Sequence, residues 1–213
     1  MDFIKNFVHG LLHLDHSISA LSAQWGPWTY VILFIIIFSE TGLVIAPFLP
    51  GDSLLFVLGA LSADGNLQLI TVILVLSAAA IFGNMLNYII GARLAQQVLL
   101  RRHIPFVKQA YIDRTHLFFE RYGAKTIIIT RFIPIIRTFA PFLAGVGSMP
   151  YGKFTTYNAV GGTLWVLVGT LSGYFFGHLE FVRHHFSFVI LAIVIISLVP
   201  VVIEFLKHKY SSS

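Results

Sequence analysis

The chain has 213 residues, 57% hydrophobic and only 11% charged, with a mean hydropathy of +0.84, and this balance excludes an ordinary soluble domain. It has no cysteine, which excludes disulfides, thiolate chemistry and cysteine metal sites but does not identify a compartment. The net charge of +5 reads as a topology signal for a polytopic membrane protein, and nucleic-acid binding is not expected.

Residues 1–24 interrupt any signal-like apolar core with Asp2, Asp15 and several histidines, so they read as a retained segment. Phe3, Ile4, Phe7, Val8, Leu11, Leu12, Ile18 and Leu21 recur at helical spacing, which predicts an amphipathic helix lying in the membrane interface. From residue 25 onward a single membrane domain is expected, entered through an aromatic belt of Trp25, Trp28 and Tyr30.

A first helix from Trp28 carries Glu40 and is broken by Gly42, Pro47, Pro50 and Gly51 before Asp52. The apolar stretch from Ser53 to Ala63 then returns the chain to the side it left, making 28–63 a re-entrant hairpin that ends at Asp64-Gly65-Asn66. A transmembrane helix is predicted over 67–99. It leads to a connector at 100–123, in a stretch where Arg93, Arg101, Arg102, Lys108, Arg114, Arg121 and Lys125 outnumber Asp113 and Glu120. The positive-inside rule places this connector, and the C-terminus with Lys207 and Lys209, in the cytoplasm. Within the connector, Pro105 to Tyr122 reads as a second interfacial helix.

Residues 124–150 contain Arg131, Pro134, Arg137, Pro141 and Gly145 inside apolar sequence, which suits a second re-entrant segment better than a span. Helices at 154–177 and 186–206 complete about four transmembrane helices. The expected fold is therefore an all-α polytopic membrane protein with two inverted, broken-helix hairpins plus interfacial helices. The halves echo each other: Ala46 to Gly51 matches Ala140 to Gly145 at five of six positions, and Gly83 to Gly91 shares G-x-x-x-x-Y-x-x-G with Gly169 to Gly177. Paired breaks in corresponding places are the plan of inverted-repeat transporters, with a site where the broken helices meet.

Charges at bilayer depth cost about 2.5 to 3.5 kcal/mol each on insertion scales, so they mark function by default. Glu40 and Asp52 flank the first break; brought close in low-dielectric surroundings, two carboxylates disfavour double ionisation, and such a pair could share or pass a proton. A helix cap for Asp52 and an ion pair for Glu40 are the plainer alternatives. Arg131 and Arg137 lie roughly 120° apart on a straight helix, but Pro134 between them could turn both guanidinium groups into one cavity suited to phosphate oxygens. Their plainer alternative is pairing with Glu40 and Asp52. Pro47, Pro50, Gly51, Pro134, Pro141 and Gly145 are the expected helix-break or gating positions. The glycine ridges at 83/91 and 169/173/177 and Trp165 are expected to serve packing, Asn84 and Asn87 interhelical hydrogen bonds. The histidines fall in flanks and loops, so no metal site or cofactor is expected. No buried histidine or lysine is available as a base, so an enzyme is not expected.

Glu40-Thr41-Gly42, Phe48-Leu49-Pro50-Gly51-Asp52-Ser53-Leu54-Leu55, Arg131-Phe132-Ile133-Pro134, Arg137-Thr138-Phe139-Ala140-Pro141 and Ala144-Gly145 together resemble the motifs of the DedA family, related to the SNARE-associated Golgi or VTT-domain proteins. The resemblance covers nearly the whole chain. It implies two opposed re-entrant helices, residence in the bacterial inner membrane and a role in envelope homeostasis linked to the proton motive force. It also implies movement of a phospholipid or polyprenyl phosphate such as undecaprenyl phosphate, in the manner of a flippase or scramblase. Glu40, Asp52, Arg131 and Arg137 match the family's functionally important acidic and arginine positions. The expected function is thus proton-linked transport of a phosphate-bearing lipid; the alternatives are a proton-coupled antiporter for a small cation or osmolyte, and a non-transporting scaffold. Packing of the glycine ridges within one chain or in a homo-oligomer is left open.

Overall fold

The computed structural model describes residues 25–43, 51–99 and 109–177, with isolated positions beyond. The interfacial helix expected over 1–24, the breaks at Pro47 and Pro50, the first part of the connector and the span expected over 186–206 lie outside the described stretches. Every regular element among the described residues is a helix: α1 (Trp28–Gly42), α2 (Gly51–Ala63), α3 (Leu69–Leu99), α4 (Gln109–Tyr122), α5 (Lys125–Thr130), α6 (Pro134–Val146) and α7 (Tyr151–Phe176).

Length and composition separate these helices into two kinds. The 31 residues of α3 and the 26 of α7 are long and apolar enough to cross a membrane, with windows of mean hydropathy 2.3 and 1.4. Their apolar side chains also face outward, with Ile70 74% and Leu74 65% exposed, as lipid-facing residues would be. By contrast, α1, α2 and α6 hold 15, 13 and 13 residues, about 20 to 22 Å at 1.5 Å per residue, short of a hydrocarbon core of about 30 Å.

The helix ends follow from local chemistry. α2 closes in a Schellman arrangement, with the Asn66 N–H donating to the Leu61 carbonyl at 3.0 Å and Gly65 at φ +80°, a conformation that favours glycine. α6 closes the same way, Met149 N–H to the Ala144 carbonyl at 3.0 Å, with Ser148 at φ 56° in the glycine place. Between α5 and α6 the N–H groups of Arg131, Phe132 and Ile133 each donate three residues back, to Ile128, Ile129 and Thr130. Ile133 is then extended, as the residue before a proline prefers, and Pro134 opens α6.

The helix nevertheless runs on through Pro141 and Gly145, where the sequence predicts a break. Pro141 supplies no N–H to the Arg137 carbonyl, but Ala140, Pro141, Ala144 and Gly145 are all buried, and packing holds the helix in register. The only break in 124–150 that the proline signal locates correctly is at Pro134.

The chain forms two compact units. The first contains α1 to Ile35, α2, α3 to Leu76 and α7 from Val166; the second contains α1 from Ile36, α3 from Ser77, α4, α5, α6 and α7 to Trp165. In the first, Leu33, Leu55, Leu58, Val72, Leu76 and Val166 are buried, and the Gln68 N–H donates to the Tyr30 hydroxyl at 3.0 Å. The residues after α2 are thereby brought back beside the start of α1. In the second, Tyr88, Phe119, Ile127, Ala140, Ala144, Met149 and Phe154 form the core. Tyr88 stacks on Phe154 and donates its hydroxyl to the Met149 carbonyl.

Each unit contains the same glycine contact. In the first, a Cβ on Gly59 of α2 would meet the Thr170 carbonyl and lie 2.8 Å from the Tyr174 nitrogen of α7; one on Gly173 would meet Phe56 of α2, 2.7 Å from its carbonyl carbon. In the second, a Cβ on Gly145 of α6 would meet the Tyr88 carbonyl and lie 2.7 Å from the Ala92 nitrogen of α3; one on Gly91 would meet Phe142. The contacts align Phe56–Gly59 with Phe142–Gly145, and Gly173 with Gly91. This register corrects the one suggested by sequence similarity: Gly51 opens α2 while Gly145 lies within α6, and Gly91 corresponds to Gly173, one helical turn before Gly177.

Candidate functional site

Glu40, Thr41, Asn84, Arg131, Arg137, Thr138 and Trp165 line one small pocket within the second unit. Four helices and one turn supply them. Glu40 and Thr41 come from the last turn of α1, Asn84 from α3, Arg131 from the turn after α5, Arg137 and Thr138 from the first turns of α6, and Trp165 from α7. The tight winding after α5 and the extended Ile133 redirect the chain between the arginines, so their separation on a straight helix does not apply.

The two arginines have different partners. Arg137 Nη2 donates to Glu40 Oε1 at 2.9 Å, a charge-assisted contact in which the side chains are 11% and 3% exposed. Arg131 is 3% exposed and donates through Nη1 to the amide oxygen of Asn158 at 3.2 Å. Its Nη2 is buried without a hydrogen-bond partner among the described residues. Nη1 also touches the Asn84 amide. A guanidinium can only donate, so the Asn84 oxygen belongs on that side, with its nitrogen turned to the Thr41 carbonyl at 3.3 Å. This orientation replaces the alternative in which Asn84 Nδ2 donates to Asn158.

A single indole faces both cations. The Cζ atoms of Arg131 and Arg137 lie 5.5 and 4.9 Å from the Trp165 ring centroid, within cation–π range. Trp165, expected to serve packing alone, is therefore part of the site. Asn158 was not distinguished by sequence at all; its only signal is a polar residue within the apolar length of α7. Asn87 does serve the interhelical role expected of it, donating to the carbonyls of Thr138 at 2.8 Å and Thr41 at 3.3 Å. These two bonds tie α1 and α6 to α3.

Of the four charged residues expected at the site, Glu40, Arg131 and Arg137 thus line one pocket. Asp52 belongs to the first unit, half-buried in the first turn of α2, where a carboxylate faces the positive end of the helix dipole. Gly51 opens the same helix and Pro134 opens α6, so both stand where regular structure begins. Among the described residues no group of histidine and carboxylate side chains could hold a metal ion.

A VTT domain matches residues 49–175. The chain is 44% identical to Protein DedA of Escherichia coli over its full length and 98% of that protein. It is 42% identical to the Uncharacterized membrane protein Rv0364 of Mycobacterium tuberculosis, over 81% of this chain and 76% of that protein. It is 34% identical to the Inner membrane protein YqjA of Escherichia coli, over 83% of this chain and 80% of that protein. No solved structure matches the chain.

Proposed function

This chain belongs to the VTT-domain family and within it to the DedA proteins of bacterial membranes, and on that premise we propose that it carries a phosphate-bearing lipid, such as undecaprenyl phosphate, across the membrane in step with protons. The observation that carries this reading is a buried Arg131 with an unmet donor beside the Glu40–Arg137 ion pair. An unpaired anion in hydrocarbon is heavily penalised, and fixed guanidinium donors can replace the water it loses.

The chemistry follows from the partners. Phosphate oxygens would accept from Arg131 and compete with Glu40 for Arg137. A proton on Glu40 removes the charge that holds Arg137, so protonation and head-group binding favour each other. Asp52, at the start of α2, is the second carboxylate that could exchange a proton along the path. The short α1–α2 and α5–α6 pairs serve in this reading as re-entrant hairpins. Their lengths, and the return of Gln68 to Tyr30 in the first unit, support it.

The test is undecaprenyl-phosphate translocation in proteoliposomes at two imposed pH gradients, with wild type beside Glu40→Gln and Arg131→Ala. Gradient-dependent movement by wild type, lost in both variants, is the expected result; intact movement in Arg131→Ala would refute the phosphate clamp. The Glu40–Arg137 pair also suits a second reading, a proton-coupled antiporter with arginine as internal counter-ion. Cation flux without lipid movement in the same vesicles would favour it.

A further inference from the structure

We propose that α7 carries a guanidinium cradle, formed by Asn158, Gly162 and Trp165, that positions Arg131, hydrogen-bonded to amides and to no carboxylate among the described residues, to receive the phosphate group of a lipid; the inference rests on the phosphate-lipid reading above. The three residues stand at i, i+4 and i+7 and so share one face of the helix. Each meets a different part of Arg131. Asn158 accepts from Nη1, Gly162 lies against Nη2, and Trp165 presents its ring to the central carbon.

The orientation of Asn158 is set from its far side. Its side chain is fully buried, and Nδ2 donates to the Ile81 carbonyl of α3 at 3.0 Å, which leaves Oδ1 aimed at the arginine. At Gly162 an added Cβ would lie 3.1 Å from Arg131 Nη2 and 3.3 Å from Ile81 Cγ1, tighter than ordinary contact. A side chain there would press on the fork and push it aside by a few tenths of an ångström. Trp165, 5% exposed, offsets part of the repulsion between the two cations by facing its electron-rich ring to both.

The two arginines differ in the partners they are given. Arg137 has a carboxylate; Arg131 has amides, an aromatic face and one open donor. Burying a guanidinium with an unmet N–H is destabilising, and a carboxylate at position 158 would cancel its charge only at the cost of facing the Ile81 carbonyl. A neutral amide gives direction without neutralising the charge, which is what a site for an incoming anion requires. Asn158, Gly162 and Trp165 are accordingly positioning residues that act through Arg131.

The experiment measures equilibrium binding of dihexyl phosphate and of inorganic phosphate to the purified full chain in detergent micelles, with melting temperature recorded for every variant. Wild type should bind dihexyl phosphate saturably. Asn158→Asp should bind about tenfold or more weakly than wild type, and more weakly than Asn158→Ala, because its carboxylate pairs with Arg131 whereas alanine only removes the orienting contact. Trp165→Phe should stay within about threefold of wild type while Trp165→Leu falls about tenfold, since the ring rather than the bulk is required. Undiminished binding by Asn158→Asp would overturn the cradle, as would losses that merely track falling melting temperature across the set. Wild type that binds neither probe would overturn the phosphate reading and the cradle with it. Binding of inorganic phosphate alone would uphold the cradle and overturn the lipid as its ligand.

Discussion

Arg131 and Arg137 share a residue type, a pocket and an aromatic face, yet their neighbours give them different work. Arg137 is half of a buried ion pair, and removing one member of such a pair leaves the other charge stranded. Arg137→Gln should therefore lower stability by about 3 to 5 kcal/mol. Adding Glu40→Gln should recover part of the loss, and thermal unfolding of the singles and the double variant measures the coupling. If the double variant is as unstable as the sum of the singles, the 2.9 Å contact contributes nothing. The charged residues were legible in the sequence because ionisable groups in apolar stretches are rare enough to be noticed one at a time. Asn158 and Trp165 were not. An asparagine or tryptophan in a long apolar helix is compatible with packing, and only the neighbour across the pocket tells otherwise.

At the scale of the helices, the glycine spacing of four announced close packing, and the contacts of Gly91 with Phe142 and of Gly173 with Phe56 bear that out. Gly59 against α7 and Gly145 against α3 both leave no space for a side chain. Gly59→Val and Gly145→Val should each destabilise by about 1 to 3 kcal/mol or prevent accumulation of folded protein, since a backbone cannot move aside as a flexible side chain can. Gly152→Ala, with nothing within 4 Å of its added carbon, should leave the melting temperature within a degree or two, about the shift of a neutral surface change. Equal effects at all three positions would contradict the close approach. Prolines were a less faithful guide. Pro134 starts a helix, as its fixed φ and missing N–H favour, whereas Pro141 is absorbed by one, because the buried neighbours on α6 stabilise a helix that local preference alone would interrupt. The repeat was visible, but its register was not: Gly51 opens α2 whereas Gly145, its counterpart in the matching letters, stands near the end of α6, and the equivalent glycines are the ones that touch equivalent backbones.

For the molecule as a whole, the absence of cysteine makes topology directly measurable, since a single introduced thiol can be labelled without background. Cysteines at Trp28 and Asn66 should react with a membrane-impermeant maleimide from the same side, as a returning α1–α2 hairpin requires. Labelling from opposite sides would make that pair a full crossing and remove the re-entrant path. Membrane class, helical content, the places of α3 and α7, and three residues of the pocket were determined by sequence alone. Hydropathy over 20 or so residues and charge within it are additive, local quantities that survive without coordinates. The separate roles of the two arginines, the amide and indole that hold Arg131, the continuity of α6 through Pro141 and the register of the repeat were decided by tertiary structure. Each depends on which groups from distant parts of the chain come within a few ångströms, and packing and hydrogen-bond satisfaction are properties of those meetings, not of either partner alone.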